Sequence, residues 1–202
     1  MDVGHPIADL VPGPRGLLLA TLVQLEKPVS VRALARHSGV SAQSALNLAG
    51  ELSLAGLVDL ERVGGSILVA LNRDHVLIEP LYGVVRARGR LIDRISEELS
   101  AWPGLMAAWL FGSAARGDGD RFSDIDLLVV AEADTEDPVW ESNVATLGDH
   151  VHAWTGNPVQ ITEHTRDSFA RLDRDDNALV RAVRDDGIPL TPGSRASLRG
   201  AS

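Results

Sequence analysis

The sequence predicts a two-part α/β chain of the α+β kind: a helical unit closed by a β-hairpin, then a small α/β core with a mixed sheet. Three observations predict it. Residues 14–71 read as helix, helix, turn, helix, then two alternating apolar–polar runs around Gly64-Gly65, a two-residue hairpin signal. Residues 82–190 interleave helical patterns with apolar strand-like runs at 107–111, 125–130 and 158–162. The chain has 202 residues, 45% of them hydrophobic, which suffices for two small cores. The expected limits are 13–78 for the first domain and 82–190 for the second, with 1–12 and 192–202 as flexible tails.

In the first unit a helix is expected from Pro14 to Glu26, with Leu17, Leu18, Ala20, Leu22 and Leu25 on its apolar face. Pro14 suits a first turn and Pro28 closes the far end. Ser30 is placed to cap a short helix over 31–37. Ser41 is placed to cap a third running to Leu54, in which Ala45, Leu48, Ala49 and Leu52 follow i, i+3, i+4, i+7 spacing. Strands are expected at 57–63 and 66–71. This order looks like a winged helix-turn-helix domain. On the third helix Gln43, Ser44 and Asn47 share an outward stripe that suits base edges or phosphates, and Arg36 and Arg62, with Arg32, are the phosphate partners such a domain would use on DNA. Residues 1–80 hold six basic side chains (Arg15, Lys27, Arg32, Arg36, Arg62, Arg73) against eight acidic ones, and Glu51 lies on the same stripe. DNA affinity rests mainly on phosphate neutralisation. A DNA contact and a homodimer- or protein-docking role therefore both stay open.

Beyond a boundary at 76–83, a long helix is expected from Leu81 or Val84 to Ser100, with Leu91, Ile95 and Leu99 buried. A strand over 107–111 leads into Gly112-Ser113, a tight turn whose N–H groups can face an anion, with Ser113 placed to cap a short helix through Arg116. In the strand that follows, Asp124 and Asp126 point to one face and Ile125, Leu127 and Val129 to the other. A helix over 139–155 carries Trp140, Val144, Leu147, Val151 and Trp154 on its core side. A strand over 158–162, helices over 165–172 and 177–186, and an edge strand at 188–190 complete the core.

Two carboxylates two residues apart repel unless a cation sits between them, and a hard cation such as Mg²⁺, held by carboxylates and phosphate oxygens, answers that need. A phosphate turn followed closely by such a strand suggests a nucleoside triphosphate site. The set Gly112, Ser113, Arg116, Gly117, Ser123, Asp124 and Asp126 resembles the nucleotidyltransferase superfamily that includes DNA polymerase beta, particularly its minimal nucleotidyltransferases. The resemblance implies that Gly112, Ser113 and Arg116 bind nucleotide and that Asp124 and Asp126 are catalytic and hold Mg²⁺. It also places a third acid at position 160, where this chain has Gln160; Glu163 lies on the opposite strand face by alternation. From the residues alone, Arg116 could equally pair with Asp118 or Asp120.

The implied function is Mg²⁺-dependent transfer of NMP, AMP from ATP, to a hydroxyl of a partner protein, antitoxin-like, with the winged helix docking DNA or that partner. The alternative is a DNA-binding transcriptional regulator whose nucleotidyltransferase-like domain binds nucleotide without catalysis. Other classes are disfavoured. The net charge is −9 with one lysine, so no broad basic surface advertises nucleic acid. There is no cysteine, hence no disulfide or thiolate metal site. No Walker A sequence is present. The apolar runs are too short to span a bilayer and no signal peptide is evident, so a cytoplasmic protein with no membrane partner is expected. His150, His152 and His164 lack partners at metal-ligand spacing.

Overall fold

The computed structural model describes residues 1–133 and 135–197, the last three of these by backbone alone. The chain forms two compact units, one of residues 4–87 with Asp2, the other of residues 88 onward with Met1 and Val3.

The first unit opens with α1 (Pro6–Leu10) and α2 (Pro14–Leu22), followed by β1 (Val29–Ser30), α3 (Val31–Ser38), α4 (Ala42–Leu54), β2 (Val58–Val63), β3 (Ser66–Leu71) and α5 (Ile78–Val85). Both predicted caps form: Ser30 Oγ accepts from Ala33 N and Ser41 Oγ accepts from Ser44 N. The hairpin turns at Gly64-Gly65 with Val63 opposite Ser66, and β1 adds an unpredicted third strand, giving an antiparallel sheet of order β1-β3-β2. The core gathers Leu18, Leu22, Leu34, Ala45, Ala49, Leu52, Val58 and Val69. Three expectations change. Residues 1–12 are not a loose arm, because α1 buries Ile7 to 2% exposure in this core. The first long helix ends at Leu22 rather than Glu26. The second half's long helix is broken at Arg86, and its front piece, α5, packs Leu81, Tyr82, Val84 and Val85 on the first unit's core. The boundary thus lies at 87/88, later than the expected 76–83; Pro80 sits in the first turn of α5, where a missing N–H costs nothing.

The second unit runs α6 (Ala87–Leu99), β4 (Leu105–Phe111), α7 (Gly112–Arg116), β5 (Ile125–Ala131), α8 (Pro138–Thr155), β6 (Val159–Thr165), α9 (Arg166–Arg174), α10 (Ala178–Asp186), β7 (Ile188–Pro189) and α11 (Pro192–Ser197). Its sheet has order β6-β5-β4-β7, with β5 and β6 parallel and the other pairs antiparallel, so it is mixed as expected. One face packs on α6 and α8 through Leu91, Ile95, Leu99, Leu147 and Val151; the other carries Trp109, stacked on Phe169, with Val180 and Val183. Pro189 is tolerated because β7 is an edge. Of the expected tail 192–202, residues 192–197 instead form α11, and Ser194 is fully buried: its hydroxyl donates to Ala108 O (2.6 Å) and accepts from Ala108 N (2.9 Å). Residues 198–202, and Asp134 of the acidic loop, lie outside the described residues. No described helix is long and apolar enough to cross a membrane.

Candidate functional site

The site begins where β4 ends. Phe111 pairs with Asp126 on β5, and the next residue, Gly112, turns with φ +69°. A Cβ at Gly112 would stand 2.4 Å from Asp126 Oδ2 and 3.3 Å from its Cγ. Only glycine adopts this backbone without strain and leaves the carboxylate room. Helix α7 starts at once. Its N-cap is Phe111, with no side-chain cap, so Ser113 is the second helical residue and not the predicted cap. Its far end is closed instead. Ser113 O accepts from the N–H groups of Gly117, Asp118 and Gly119, while Arg88 Nε donates to Ala114 O (2.8 Å) and Arg88 Nη2 to Ala115 O. A cation on the last carbonyls suits the helix dipole as well as the orphan acceptors. Arg88 holds α7 from 26 residues away, and nothing in local spacing announces it.

Asp124 is exposed just ahead of β5, and Asp126 lies half-buried within it. Burial pushes the Asp126 carboxyl above its ordinary value, the Asp124 charge pushes it further, and Arg116 opposes both. In the parallel ladder Asp126 registers with Gln160, so the exposed Gln160 side chain neighbours Asp126 on one face. Glu163 registers with Val129, and its Oε2 accepts from Trp140 Nε1 at 2.7 Å, which commits it to the face covered by α6 and α8. Among the described residues no three His, Asp or Glu side chains converge to hold a metal ion. The site is a pair of carboxylates with an amide beside it.

Arg116 donates through Nε to Asp118 Oδ2 (3.1 Å) and through Nη1 to Asp186 Oδ2 (3.2 Å), so its guanidinium is spent on the chain's own acids while still lying within electrostatic reach of Asp126. The loop from α7 to β5 is fastened from a distance: Asn157 donates from Nδ2 to Asp120 O (3.1 Å) and Ser123 O (2.9 Å). The histidines serve locally, His150 beside Glu98, His152 on Asn157 O and His164 on Ser168.

In the first unit, Gln43 and Asn47 are exposed on α4, but Gln43 Nε2 donates to Asn47 Oδ1 (2.9 Å) and Ser44 Oγ accepts from the capping Ser41 hydroxyl. Arg36 and Arg62 are exposed. Glu51 is neutralised by Arg15.

With this geometry in place, the comparisons are informative for the second unit. Residues 92–179 match the nucleotidyltransferase domain family. The match runs from within α6 to the start of α10 and contains the Gly112–Ser113 turn, Asp124, Asp126 and Gln160. Solved structures similar to this chain include a mutant of the MntA-HpeT toxin–antitoxin complex, 25% identical over 49% of this chain and 71% of that one, with a TM-score of 0.36. A toxin–antitoxin structure with AMP-PNP is 26% identical over 50% and 70%, TM-score 0.34. No curated protein matches. Arg88 lies just ahead of the nucleotidyltransferase match, yet it caps the helix that the match encloses.

Proposed function

We propose that the second unit is a Mg²⁺-dependent nucleotidyltransferase that moves NMP, AMP from ATP, to a hydroxyl on a partner protein, an antitoxin-like role. The observation that carries this reading is the contact of Gly112 with Asp126: a left-handed glycine sets the uncapped end of α7 directly against a metal-type carboxylate. Phosphate oxygens would meet the backbone N–H groups of Gly112 and Ser113. Asp124 and Asp126 fit Mg²⁺, since this ion is commonly held by one or two carboxylates together with substrate phosphates; burial first and the Asp124 charge second raise the Asp126 carboxyl, and a cation would relieve the repulsion. Bound there, Mg²⁺ would supply charge neutralisation at the α-phosphate. Arg116 would reach triphosphate oxygens by exchanging Asp118 and Asp186 for them. We read the first unit as a winged helix that docks DNA or this partner, with Gln43, Ser44, Asn47, Arg36 and Arg62 as the contact residues and a homodimer as the other assembly it would serve.

One observation favours a second reading, nucleotide binding without turnover in a transcriptional regulator. Gln160 stands beside Asp126 where an acid would take the hydroxyl proton, and Glu163 is turned to Trp140. Incubation with α-labelled ATP, Mg²⁺ and a cell lysate separates the two. Transfer to a protein band that is lost in Asp126→Asn supports the transferase. Saturable ATP binding with no transfer from any of the four nucleotides supports the regulator.

A further inference from the structure

Between the phosphate turn and the carboxylate strand, residues 117–123 form a loop with one large apolar side chain, Phe122, whose ring is 81% exposed. The backbone beneath it is firmly held. Asn157, only 1% exposed, fastens Asp120 O and Ser123 O from below. Asp120 Oδ1 accepts from Phe122 N (2.9 Å) and from the Ser123 hydroxyl (2.9 Å), and Ser123 Oγ accepts from Asp120 N (2.9 Å). A loop fixed at this many points gains nothing for folding by holding a phenyl ring in water. Only Ser123 separates Phe122 from Asp124, so their Cα atoms are no more than about 7 Å apart.

We propose that Phe122 is the platform on which the base of the nucleoside triphosphate stacks. This rests on the nucleotide-site reading above and adds where the base goes. Asp120, Arg121, Ser123 and Asp124 flank the ring, and no second exposed large apolar residue stands in the loop, so there is no apolar cluster of the kind that anchors a protein interface. A solitary ring matches a planar base, and base–aromatic stacking contributes substantially with little dependence on base identity. Phe122 lies between the Gly112–Ser113 turn and Asp124 in the chain, two positions from the carboxylate, which is within the length of a nucleotide whose phosphates those residues would hold.

Isothermal titration of the full chain with Mg²⁺ and non-hydrolysable analogues of ATP, GTP, CTP and UTP, and with inorganic tripolyphosphate, tests this. Phe122→Ala should weaken ATP binding about 5- to 100-fold, with comparable losses for the other three nucleotides, and leave tripolyphosphate affinity unchanged. Phe122→Trp should retain ATP affinity. Equal losses of ATP and tripolyphosphate would show that the ring merely shapes the loop and would overturn the proposal. So would unchanged ATP affinity with lost transfer to the acceptor, which would make the ring a protein contact. If the wild-type chain binds neither ligand, the nucleotide site itself is refuted, and base stacking falls with it.

Discussion

The contact between Gly112 and Asp126 yields a quantitative test by a double-mutant cycle on stability. In Gly112→Ala the new Cβ meets Oδ2 at 2.4 Å and Cγ at 3.3 Å, whereas Asp126 Cβ stays at an ordinary 3.6 Å. Two costs should add. A left-handed backbone costs a non-glycine residue about 1–2 kcal/mol. Forcing atoms into an occupied space costs roughly 1–3 kcal/mol, and relief by movement of β5 is limited because that strand is paired on both sides. The single variant should therefore lose about 2–5 kcal/mol in all, or roughly 10 °C in melting temperature for a unit of this size. Asp126→Ala removes both offending atoms and leaves the backbone cost. In that background Gly112→Ala should cost only about 1–2 kcal/mol, so the coupling between the two sites should be about 1–3 kcal/mol. Chemical denaturation of the four proteins measures it. Additivity within about 0.5 kcal/mol would refute the claim that the turn lies against the carboxylate. A second readout is ligand affinity, since displacement of a binding group by about 1 Å costs on the order of 100-fold in the productive geometry.

Asp126→Asn should stabilise the fold at neutral pH. The folded carboxyl lies above its ordinary value of 3.8, so ionisation removes stability as pH rises through that interval; the gain from the amide should be complete above the folded value and vanish below 3.8, in melts across pH. Added Mg²⁺ should raise the melting temperature of the wild type and not of this variant. Gln160→Asp should raise Mg²⁺ affinity or transfer rate in the α-labelled assay, and an unchanged rate would mean that another acid already serves. Arg88→Ala leaves two carbonyls of α7 without their donor and should cost about 1–3 kcal/mol in denaturation, with weakened ATP binding that Arg88→Lys partly recovers.

What could be read from the sequence was whatever local spacing determines. The caps Ser30 and Ser41, the Gly64-Gly65 hairpin, the Leu91–Ile95–Leu99 stripe and the order of strands around the Asp124/Asp126 pair all follow from periods of two and 3.6 or from turn chemistry. The register of Gln160 with Asp126 needed the family resemblance as well. The features that were missed are long-range. Arg88 belongs to a helix whose arginines look like a solvated face, and its partners are carbonyls, which carry no sequence signal. Asn157 follows a helix-ending glycine and resembles a turn residue until its amide is seen holding a loop more than 30 residues away. Ser194 sits among Pro, Gly and Arg, a composition typical of a tail, yet it bonds both backbone groups of Ala108. Arg116 presented Asp118 and Asp120 as partners on paper; tertiary folding keeps Asp118 and puts Asp186 in the place of Asp120.

The position of Gln160 beside Asp126 also has a genetic meaning. Glutamine and glutamate share length and shape, and their codons differ only in the first base. Because the side chain is exposed and its strand lies at the edge of the sheet, such an exchange disturbs no packing. A site with two acids and a site with three are therefore neighbours in mutational space. Selection can move a lineage between them in either direction with the fold unchanged.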